Sequence, residues 1–322
     1  MKNILITDTV KELGLERKIL KNFNLKLRDI KKLKKNDFKN IDGIITGHHI
    51  NFNKSLLSKF SSCKIIVRYG AGYNNIDITE AKKRNILVFN VPEYGKNEVA
   101  DHTLALILLF VKNLNSKYFN ILNKSKNFWD YKGGYMHRRT SKLKIGIIGL
   151  GRIGYNLAKK TNSIGMKTFF YDPYLKKRIP KKFKKISSLS KIFQLCDIIS
   201  LHVPSKKDTK YFITEKILKK IKRNIIFINT ARGDLISNSN LIKYFLKNKL
   251  MFLGLDTIEK EPIEFRNKLF SLAKNKKYSD RILITPHSAF YTKESLIDLR
   301  SNAANTLKNF FLHRSLKNCV NR

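Results

Sequence analysis

The sequence predicts an α/β protein with two doubly wound parallel sheets, and three observations lead to this fold class. Short apolar runs alternate with amphipathic segments along the chain, which is typical of βαβ units. The 322 residues exceed what one compact core usually holds, so two domains are expected. A glycine-rich turn between an apolar run and an amphipathic helix marks a strand–turn–helix unit near the start of the second set of strands.

The first part of the chain carries four apolar runs that we interpret as buried strands. They are residues 4–6, 44–46, 64–67 and 86–89. A helix is expected to begin near Glu98 with Asn97 as its N-cap, because Asn side chains accept hydrogen bonds from the first helical turn. The helical pattern continues, with a break, to about Asn123.

The second part carries six further apolar runs, separated by helical patterns. They are residues 144–148, 168–171, 197–201, 225–228, 252–255 and 282–284. Six strands match the count of a full dinucleotide-binding sheet. A final helix is expected from about residue 292 to residue 311.

The charge of the chain is strongly positive, with 66 Lys and Arg against 24 Asp and Glu and a net charge of +42. Such a balance would attract nucleic acid or an anionic membrane. The lysines are scattered through every segment, however, and the densest run, residues 181–185, is expected on a solvated loop. We therefore favour a compositional bias and expect no specific nucleic-acid partner.

Neither a membrane nor a metal is expected as a partner. The longest apolar run, residues 104–111, is much shorter than the about 20 residues that a membrane span needs. Cys63, Cys196 and Cys319 stand far apart, form no CxxC pair, and are interpreted as small apolar residues in a reducing compartment. The N-terminal segment has no signal-peptide pattern, so a cytoplasmic location is expected.

The glycine-rich turn is residues 149–154, GLGRIG, and it fits the GxGxxG pattern of dinucleotide-binding sheets. In that pattern Gly149 allows the tight turn, Gly151 lets the backbone approach a pyrophosphate, and Gly154 permits close packing of helix on strand. The pyrophosphate would lie at the helix N-terminus, where free N–H groups favour an anion. The sequence context therefore predicts a dinucleotide site.

Asp172 follows the next apolar run and is the acidic residue that such a site needs to bind the adenosine ribose. A carboxylate there accepts hydrogen bonds from the ribose hydroxyls and repels a 2′-phosphate, which favours NAD over NADP. Lys176, Lys177 and Arg178 follow closely and would weaken this repulsion.

Polar side chains stand just after three strands of the second set. Arg232 follows the strand ending at residue 228, Asp256 and Glu261 follow the strand ending at residue 255, and His287 follows the strand ending at residue 284. Ligands of open α/β sheets bind at the carboxyl ends of the strands, so Arg232, Glu261 and His287 are expected to converge. Each taken alone has an ordinary structural interpretation.

With these motifs the chain resembles the D-isomer-specific 2-hydroxyacid dehydrogenases over nearly its whole length. The matching segments are residues 67–77 (VRYGAGYNNID), 90–95 (NVPEYG), 146–154 (GIIGLGRIG), 171–173 (YDP), 201–204 (LHVP), 229–233 (NTARG), 256–262 (DTIEKEP) and 285–287 (TPH). Residues 170–175 (FYDPYL) and 287–291 (HSAFY) look closest to the phosphoglycerate-dehydrogenase-like branch, which includes the C-terminal-binding-protein corepressors.

The resemblance implies NAD-dependent hydride transfer between a 2-hydroxy acid and its 2-oxo acid. His287 would be the acid/base, since histidine alone has an unperturbed side-chain pKa near neutrality. Glu261 would hold the imidazole, and Arg232 would bind the substrate carboxylate and polarise its carbonyl. Other positions match the family by motif. The matches on the cofactor side are Arg152, Ile153, Val203, Pro204, Thr209, Thr230, Ala231 and Asp256, the last facing the nicotinamide amide; those on the substrate side are Arg68, Gly70, Ala71 and Gly72. His48, which does not match the family pattern, is a further candidate for substrate contact.

One segment departs from the phosphoglycerate enzymes of the family. They carry arginines for the substrate phosphate where this chain has Gly47, His48 and His49. Because phosphate recognition favours Arg, a small 2-oxo acid is preferred as substrate, with 3-phosphoglycerate as an alternative. A corepressor-like protein that senses NAD(H) remains a second class of function, because corepressors of this family keep the three strand-end residues.

The resemblance also implies a discontinuous domain arrangement, with a Rossmann-like nucleotide domain inserted in a substrate domain. The substrate domain would be residues 1–96 plus 290–322 and the NAD-binding domain residues 124–289. Residues 97–123 would link them and pack against a second copy in a homodimer. The apolar residues 104–111 could equally belong to a core within one domain.

Overall fold

The computed structural model describes residues 1–7, 12–122, 128–129, 138–176 and 178–322. These residues form two compact units, Met1–Gly95 with Tyr291–Arg322, and Lys96–Phe290. The strands are β1 (Lys2–Ile6), β2 (Phe23–Leu27), β3 (Gly43–Thr46), β4 (Ile65–Arg68), β5 (Leu87–Phe89), β6 (Lys144–Ile148), β7 (Lys167–Tyr171), β8 (Lys184–Lys185), β9 (Ile198–Leu201), β10 (Ile225–Asn229), β11 (Leu250–Leu255) and β12 (Ile282–Ile284).

The α-helices are distributed unevenly between the two units. They are α1 (Gly14–Ile19), α2 (Lys35–Lys39), α3 (Lys54–Leu57), α4 (Ile78–Lys83), α5 (Lys96–Val111), α6 (Leu114–Leu122), α7 (Arg152–Ser163), α8 (Leu189–Leu195), α9 (Glu215–Lys219), α10 (Asn238–Leu246), α11 (Lys268–Lys274) and α12 (Lys293–His313). Helices α5 to α11 lie in the second unit, whereas α12 returns to the first. No helix in the described part of the chain is long and apolar enough to cross a membrane.

The first unit is built on a five-stranded parallel sheet in the order β2-β1-β3-β4-β5. Its inner strands β3 and β4 are almost entirely buried, and one face of the sheet is covered largely by α12. Leu299, Ala303, Leu307 and Phe310 of that helix are buried in the same cluster as Ile4. The last helix therefore completes a core that the first strand begins.

The second unit is built on a seven-stranded parallel sheet in the order β12-β11-β10-β9-β6-β7-β8. The strand order reverses between β6 and β9, which is the point where open α/β sheets bind ligands at the carboxyl ends of their strands. Helix α5 packs on this sheet, where its Phe110 contacts Phe252 with ring centroids 5.0 Å apart. The predicted fold class, two doubly wound parallel sheets of the Rossmann type, is confirmed.

Two strands were not predicted, and both lie at sheet edges. β2 has the sequence FNLKL and is partly exposed, so it lacks the continuous apolar run of a buried strand. β8 falls within residues 181–185, where a solvated loop was expected; Lys184 and Lys185 are exposed, but they pair with β7, and Phe183 beside them is buried. The expectation of a loop there was wrong because a two-residue edge strand needs no apolar pattern.

The helix predicted near Glu98 begins at Lys96, so Asn97 lies inside its first turn and is not the N-cap. The side chain of Asn97 accepts a hydrogen bond from Asn156 Nδ2 at 2.8 Å and thus ties α5 to α7. The expected break falls at Asn113, which has a positive φ of 55° between α5 and α6. The expected end of the helical pattern, about Asn123, lies outside the described residues.

Candidate active site

The glycine turn joins β6 to α7 at the point where the strand order reverses. Gly149 has a φ of +89°, and a Cβ there would stand 2.6 Å from the carbonyl oxygen of His202. A Cβ at Gly154 would stand 2.1 Å from the carbonyl oxygen of Gly149, whereas one at Gly151 would meet nothing within 4 Å. Two of the glycines are therefore required by packing, and the third leaves open space beside the N-terminus of α7.

Gly151 is the N-cap of α7, and no side chain caps this helix. The first helical turn includes Arg152 and Ile153, and the N–H groups of a first turn point out of the helix end rather than to carbonyls of the same helix. A helix N-terminus that faces open space is a favourable place for a phosphate, because the N–H groups and the helix dipole both attract an anion. The open position at Gly151 fits the pyrophosphate of a dinucleotide.

Asp172 stands at the carboxyl end of β7, next to the glycine turn. Its Oδ2 accepts a hydrogen bond from Leu150 N at 2.9 Å, and its Oδ1 accepts one from Tyr174 N at 3.0 Å. Each oxygen has a further lone pair for a ribose hydroxyl. Lys176 and Arg178 are exposed nearby, and Lys177 lies outside the described residues.

The remaining residues matched to the cofactor line the ends of β9 and β10. Thr209 Oγ1 donates to the Pro204 carbonyl at 2.7 Å and closes the loop after β9. The side chain of Val203 packs against Gly149, and Ala231 N donates to Asn229 Oδ1 at 3.1 Å. Thr230 is buried, and its Oγ1 lies 2.9 Å from that of Thr103.

His287 and Glu261 form the central pair of titratable side chains. His287 Nδ1 lies 2.7 Å from Glu261 Oε2, and Glu261 Oε1 accepts a hydrogen bond from Ile258 N at 3.1 Å. Burial pushes the pKa of Glu261 upward, but the hydrogen bond and charge of His287, together with the Ile258 N–H and the charge of Arg232, outweigh it and bring the pKa below its usual value. The carboxyl group is therefore ionised at neutral pH, and His287 Nδ1 is the donor in this contact.

Arg232 follows β10 in an extended conformation. Asn229 Nδ2 donates to the Arg232 carbonyl at 2.8 Å, and the Arg232 guanidinium donates through Nη1 to the Ala231 carbonyl at 2.5 Å. Its charge is one of those that lower the pKa of Glu261. The residues predicted from three different strand ends are thus electrostatically coupled within the second unit.

The turn that carries His287 is anchored on Asp256. His287 has a positive φ of 51°, a conformation that non-glycine residues rarely adopt. Asp256 is buried; its Oδ1 accepts a bond from Thr285 Oγ1 at 2.6 Å and one from Ser288 N at 2.8 Å, and its Oδ2 accepts one from Ala289 N at 3.0 Å. Asp256 was matched to the nicotinamide amide. Within the described residues its carboxylate accepts these hydrogen bonds from the turn and the residues beside it, and His102 Nε2 of α5 lies 3.9 Å from its Oδ1.

The residues matched to the substrate carboxylate belong to the first unit, at the end of β4. Gly70 has a φ of +133°, and a Cβ there would stand 1.7 Å from Arg68 Nη1, so the guanidinium lies over the glycine. Arg68 Nη1 also donates to the Tyr69 carbonyl at 2.7 Å, and the Ala71 carbonyl accepts from Asn90 Nδ2 at 2.7 Å. Gly72 follows in the same loop.

His48 lies after β3, at the carboxyl edge of the same sheet. It is exposed, and its ring centroid is 3.8 Å from that of His49. Among the described residues, no group of three or more His, Cys, Asp or Glu side chains could hold a metal ion.

Sequence reasoning missed several residues that shape this region. His202 lies inside the LHVP motif, its Nε2 is 2.8 Å from Ser200 Oγ, and burial lowers its pKa to about 3, so its ring is neutral. Asn229 shapes the turn after β10 through both its side-chain oxygen and its nitrogen. The position of each at a strand end was the available signal, but their partners depend on the fold of the following turns.

The fold and these motifs define the class of protein as an α/β dinucleotide-binding protein with a strand-end His–Glu pair. Residues 104–289 match the family model described as the NAD-binding domain of D-isomer-specific 2-hydroxyacid dehydrogenases. The match covers more than half of the chain, and the chain belongs to this family. It therefore contains the family's NAD-binding domain.

Relatives and solved structures agree with this placement. The chain is 27% identical over 311 residues to D-3-phosphoglycerate dehydrogenase of Bacillus subtilis. This alignment covers 96% of this chain and 57% of the relative. It is 28% identical over 288 residues to the enzyme of the same name from Methanocaldococcus jannaschii, covering 88% of this chain and 52% of the relative. The chain thus spans about half the length of these two curated relatives.

A crystal structure of D-lactate dehydrogenase from Aquifex aeolicus, complexed with NAD and lactic acid, is similar over the whole chain. The TM-score is 0.87 with 29% identity, and the match covers 100% of this chain and 99% of that chain.

Proposed function

We propose that this protein is an NAD-dependent D-2-hydroxyacid dehydrogenase that catalyses reversible hydride transfer between NADH and a small 2-oxo acid. The observation that carries the proposal is the His287–Glu261 pair, with its 2.7 Å contact at the carboxyl edge of a dinucleotide-binding sheet. An imidazole held by an ionised carboxylate is the group that such a reaction needs to exchange a proton with the substrate.

Bound NAD would supply or accept the hydride. The Nδ1 of His287 is engaged by Glu261, so the proton exchanged with the substrate is carried at Nε2. In the reducing direction Nε2 gives this proton to the carbonyl oxygen of the 2-oxo acid, and in the oxidising direction it takes the proton from the hydroxyl. Glu261 holds the imidazole in place through the 2.7 Å contact with Nδ1.

Arg232 binds the substrate carboxylate and polarises its carbonyl. A guanidinium is suited to this role because its planar fork of donors matches a carboxylate. Arg232 and His287 stand at the carboxyl edge of one sheet, and both lower the pKa of the Glu261 carboxyl group. These three residues are the proposed catalytic set.

The cofactor side is proposed to use the glycine turn, the N-terminus of α7 and Asp172. The open space at Gly151 favours a pyrophosphate there, and the free lone pairs of Asp172 favour the 2′- and 3′-hydroxyls of the adenosine ribose. Val203, Pro204, Thr209, Thr230 and Ala231 are proposed to line the same side. These features support NAD over NADP.

In the first unit, Arg68 and the loop of Gly70, Ala71 and Gly72 are proposed as substrate-binding residues, together with His48. Because the segment after β3 has Gly47, His48 and His49 where phosphate-binding arginines would be expected, the preferred substrate has a small uncharged tail. 3-Phosphoglycerate is a second candidate, favoured by the names of the two curated relatives.

A panel of 2-oxo acids tests the activity. Oxidation of NADH is followed by its absorbance with glyoxylate, pyruvate, hydroxypyruvate and 3-phosphohydroxypyruvate, each over a range of concentrations. Turnover of one of them supports the dehydrogenase. Tight NADH binding with no turnover of any would instead support the alternative, an NAD(H)-sensing binding protein or corepressor.

A homodimer formed through α6 is also proposed. The helix exposes Leu114, Tyr118, Ile121 and Leu122, each between 43% and 60% exposed, at spacings that place them on one face. Sedimentation of the wild type and of Tyr118→Glu tests this, and a monomeric wild type would contradict it. A cytoplasmic location is proposed because Cys63, Cys196 and Cys319 are all free thiols.

A further inference from the structure

A chain of three side chains runs from α5 to the turn that carries His287. His102 Nε2 of α5 lies 3.2 Å from Thr285 Oγ1, and Thr285 Oγ1 lies 2.6 Å from Asp256 Oδ1. His102 Nε2 and Asp256 Oδ1 are 3.9 Å apart. All three residues belong to the second unit, and neither His102 nor Thr285 has a role in the proposed mechanism.

The direction of these hydrogen bonds follows from the chemistry of the groups. A carboxylate only accepts hydrogen bonds, so the single hydroxyl proton of Thr285 goes to Asp256. The Thr285 oxygen can then only accept from His102, so the Nε2 of His102 carries a proton. The hydrogen bonds therefore run from His102 as the donor, through the Thr285 hydroxyl, to Asp256 as the final acceptor.

The Asp256 carboxylate, at the end of this hydrogen-bonded series, fixes the backbone just after His287. Asp256 accepts the N–H groups of Ser288 and Ala289 through its side chain, and its carbonyl oxygen accepts His287 N at 3.0 Å. Because the φ of His287 is +51°, the turn is held in a conformation that the residue itself disfavours. Its geometry depends on anchors outside the turn.

We propose that Thr285 and His102 are positioning residues for His287. They orient the Asp256 carboxylate toward the turn, and the turn then keeps the imidazole against Glu261. The inference rests on the proposed function for its catalytic consequence, but its structural part concerns only the contact between His287 and Glu261. Small displacements of a reacting group are costly, as about 1 Å of misplacement can lower a rate about 10²-fold.

Four variants test the proposal. Thr285→Val keeps the shape of the side chain and removes the hydroxyl, whereas Thr285→Ser keeps the hydroxyl. His102→Leu removes the donor, whereas His102→Gln retains an N–H at the end of the side chain. Thr168→Val is the matched control, because Thr168 is also buried in the second unit but lies at the start of β7, away from the turn.

The first readout needs neither cofactor nor substrate. The imidazole N–H that bonds Glu261 should give a downfield proton resonance in ¹H NMR, identified by its loss in Glu261→Gln. The resonance is expected to weaken or vanish in Thr285→Val and His102→Leu, and to persist in Thr285→Ser, His102→Gln and Thr168→Val. An unchanged resonance in Thr285→Val would overturn the proposal.

The second readout is steady-state turnover with the best substrate of the panel. Thr285→Val is expected to lower kcat about tenfold with a smaller change in KM and in the NADH Kd, because proton transfer, not binding, is impaired. Thr285→Ser should recover most of the loss. The solvent deuterium isotope effect on kcat should rise in Thr285→Val, because a poorly placed His287 makes proton transfer more rate-limiting.

The two readouts separate the possible failures. If Thr285 has a purely structural role, Thr285→Val will lower the active fraction without changing the isotope effect, and this result would overturn the proposal. Equal losses of kcat in Thr285→Val and Thr285→Ser would also overturn it. If the wild type turns over no 2-oxo acid while the resonance behaves as described, the proposed function fails and the positioning of His287 by Thr285 stands.

Discussion

Glu16 of α1 and Arg300 of α12 form an ion pair across 284 residues of sequence. Arg300 Nη2 lies 2.5 Å from Glu16 Oε2, Arg300 Nε lies 2.7 Å from Glu16 Oε1, and Tyr69 donates its hydroxyl to Glu16 Oε1 at 2.9 Å. The Glu16 side chain has no solvent exposure, whereas that of Arg300 is 27% exposed. The ion pair thus connects α12 to α1 within the first unit.

Removing one partner of this pair should destabilise the first unit. Arg300→Ala leaves a buried carboxylate without its cation, and we expect a loss of about 3 kcal/mol in the free energy of unfolding. Urea unfolding measures the loss. Arg314→Ala, at the exposed end of the same helix, is the control, and an equal loss in both variants would contradict the expectation.

The stability contributed by Glu16 should depend on pH. Burial raises the pKa of Glu16, but the bonds from Arg300, its own backbone and Tyr69, with the charge of Arg300, bring it below its usual value. A lowered pKa in the folded state gives a contribution that is complete above the unfolded pKa and is lost as the pH falls through the folded pKa. The difference between wild type and Glu16→Gln in urea midpoint should therefore shrink below about pH 4. Glu294→Gln, an exposed substitution on α12, should show no such trend.

Replacement of His287 should abolish most turnover. For His287→Ala we expect kcat to fall by about 10²–10⁴-fold, which is the usual contribution of general acid–base catalysis, while NADH binding measured by fluorescence survives. Arg232→Lys should also be strongly impaired, because a lysine cannot replace the planar fork. His313→Ala, at the exposed end of α12, is the control. A folded His287→Ala protein with near-normal kcat would remove His287 from the catalytic set.

Asp172 should decide the choice of cofactor. The wild type is expected to prefer NADH over NADPH, and Asp172→Ala to narrow or reverse the preference, because the carboxylate repels a 2′-phosphate. NADH affinity should also fall, since Asp172 Oδ2 holds the glycine turn through Leu150 N. Titrations of both cofactors against wild type, Asp172→Ala and the exposed Asp298→Ala test this. A wild type that prefers NADPH would mean that neighbouring cations such as Lys176 and Arg178 prevail.

The phosphorylated substrate should be the poorer one. We expect a lower kcat/KM for 3-phosphohydroxypyruvate than for the best small 2-oxo acid at pH 8, because the segment of Gly47, His48 and His49 lacks arginine. A clear advantage for the phosphorylated compound would favour the phosphoglycerate dehydrogenase alternative, in agreement with the names of the curated relatives.

Any binding to nucleic acid should be weak and independent of sequence. Scattered lysines displace counterions from phosphates but do not read bases, so the affinity should fall steeply between low and physiological salt. Fluorescence anisotropy with several DNA and RNA oligonucleotides at increasing salt measures this. A preference for one sequence that persists at physiological salt would revive a nucleic-acid function for the charge of +42.

Local patterns sufficed for the parts of the fold that depend on local spacing. The glycines of the turn after β6 each serve a short-range need, so their spacing alone predicted a strand, a turn and a helix. β8 could not be predicted in this way, since its two residues are lysines that pair with β7 only through the backbone. Asn97 was assigned to a cap by the same local logic, but a partner 59 residues away, Asn156, uses its side chain.

The candidate site was predictable in its residue types but not in its connections. The rule that ligands bind at strand ends singles out Arg232, Glu261 and His287 from the sequence alone. The hydrogen bonds that Asp256 accepts depend on how the turn after β12 folds back. The spacing of residues in the sequence does not encode the path of this turn. The pairing of Glu16 with Arg300 was equally hidden, because neither residue lies in a motif.

The placement of α12 has a consequence for the order in which the protein folds during synthesis. The core under β1 needs Leu307 and Phe310, and Val88 of β5 donates its backbone N–H to Asn321 Oδ1 at 2.8 Å, so the first unit draws on residues near both ends of the sequence. A ribosome delivers the chain from its N-terminus at about 5–20 residues per second, and domains generally fold as units. Of the two units, the first is therefore the one whose translation starts earlier and finishes later. While the second unit is being translated, the apolar face of β1, β3 and β4 stays exposed, because α12 has not yet been synthesised.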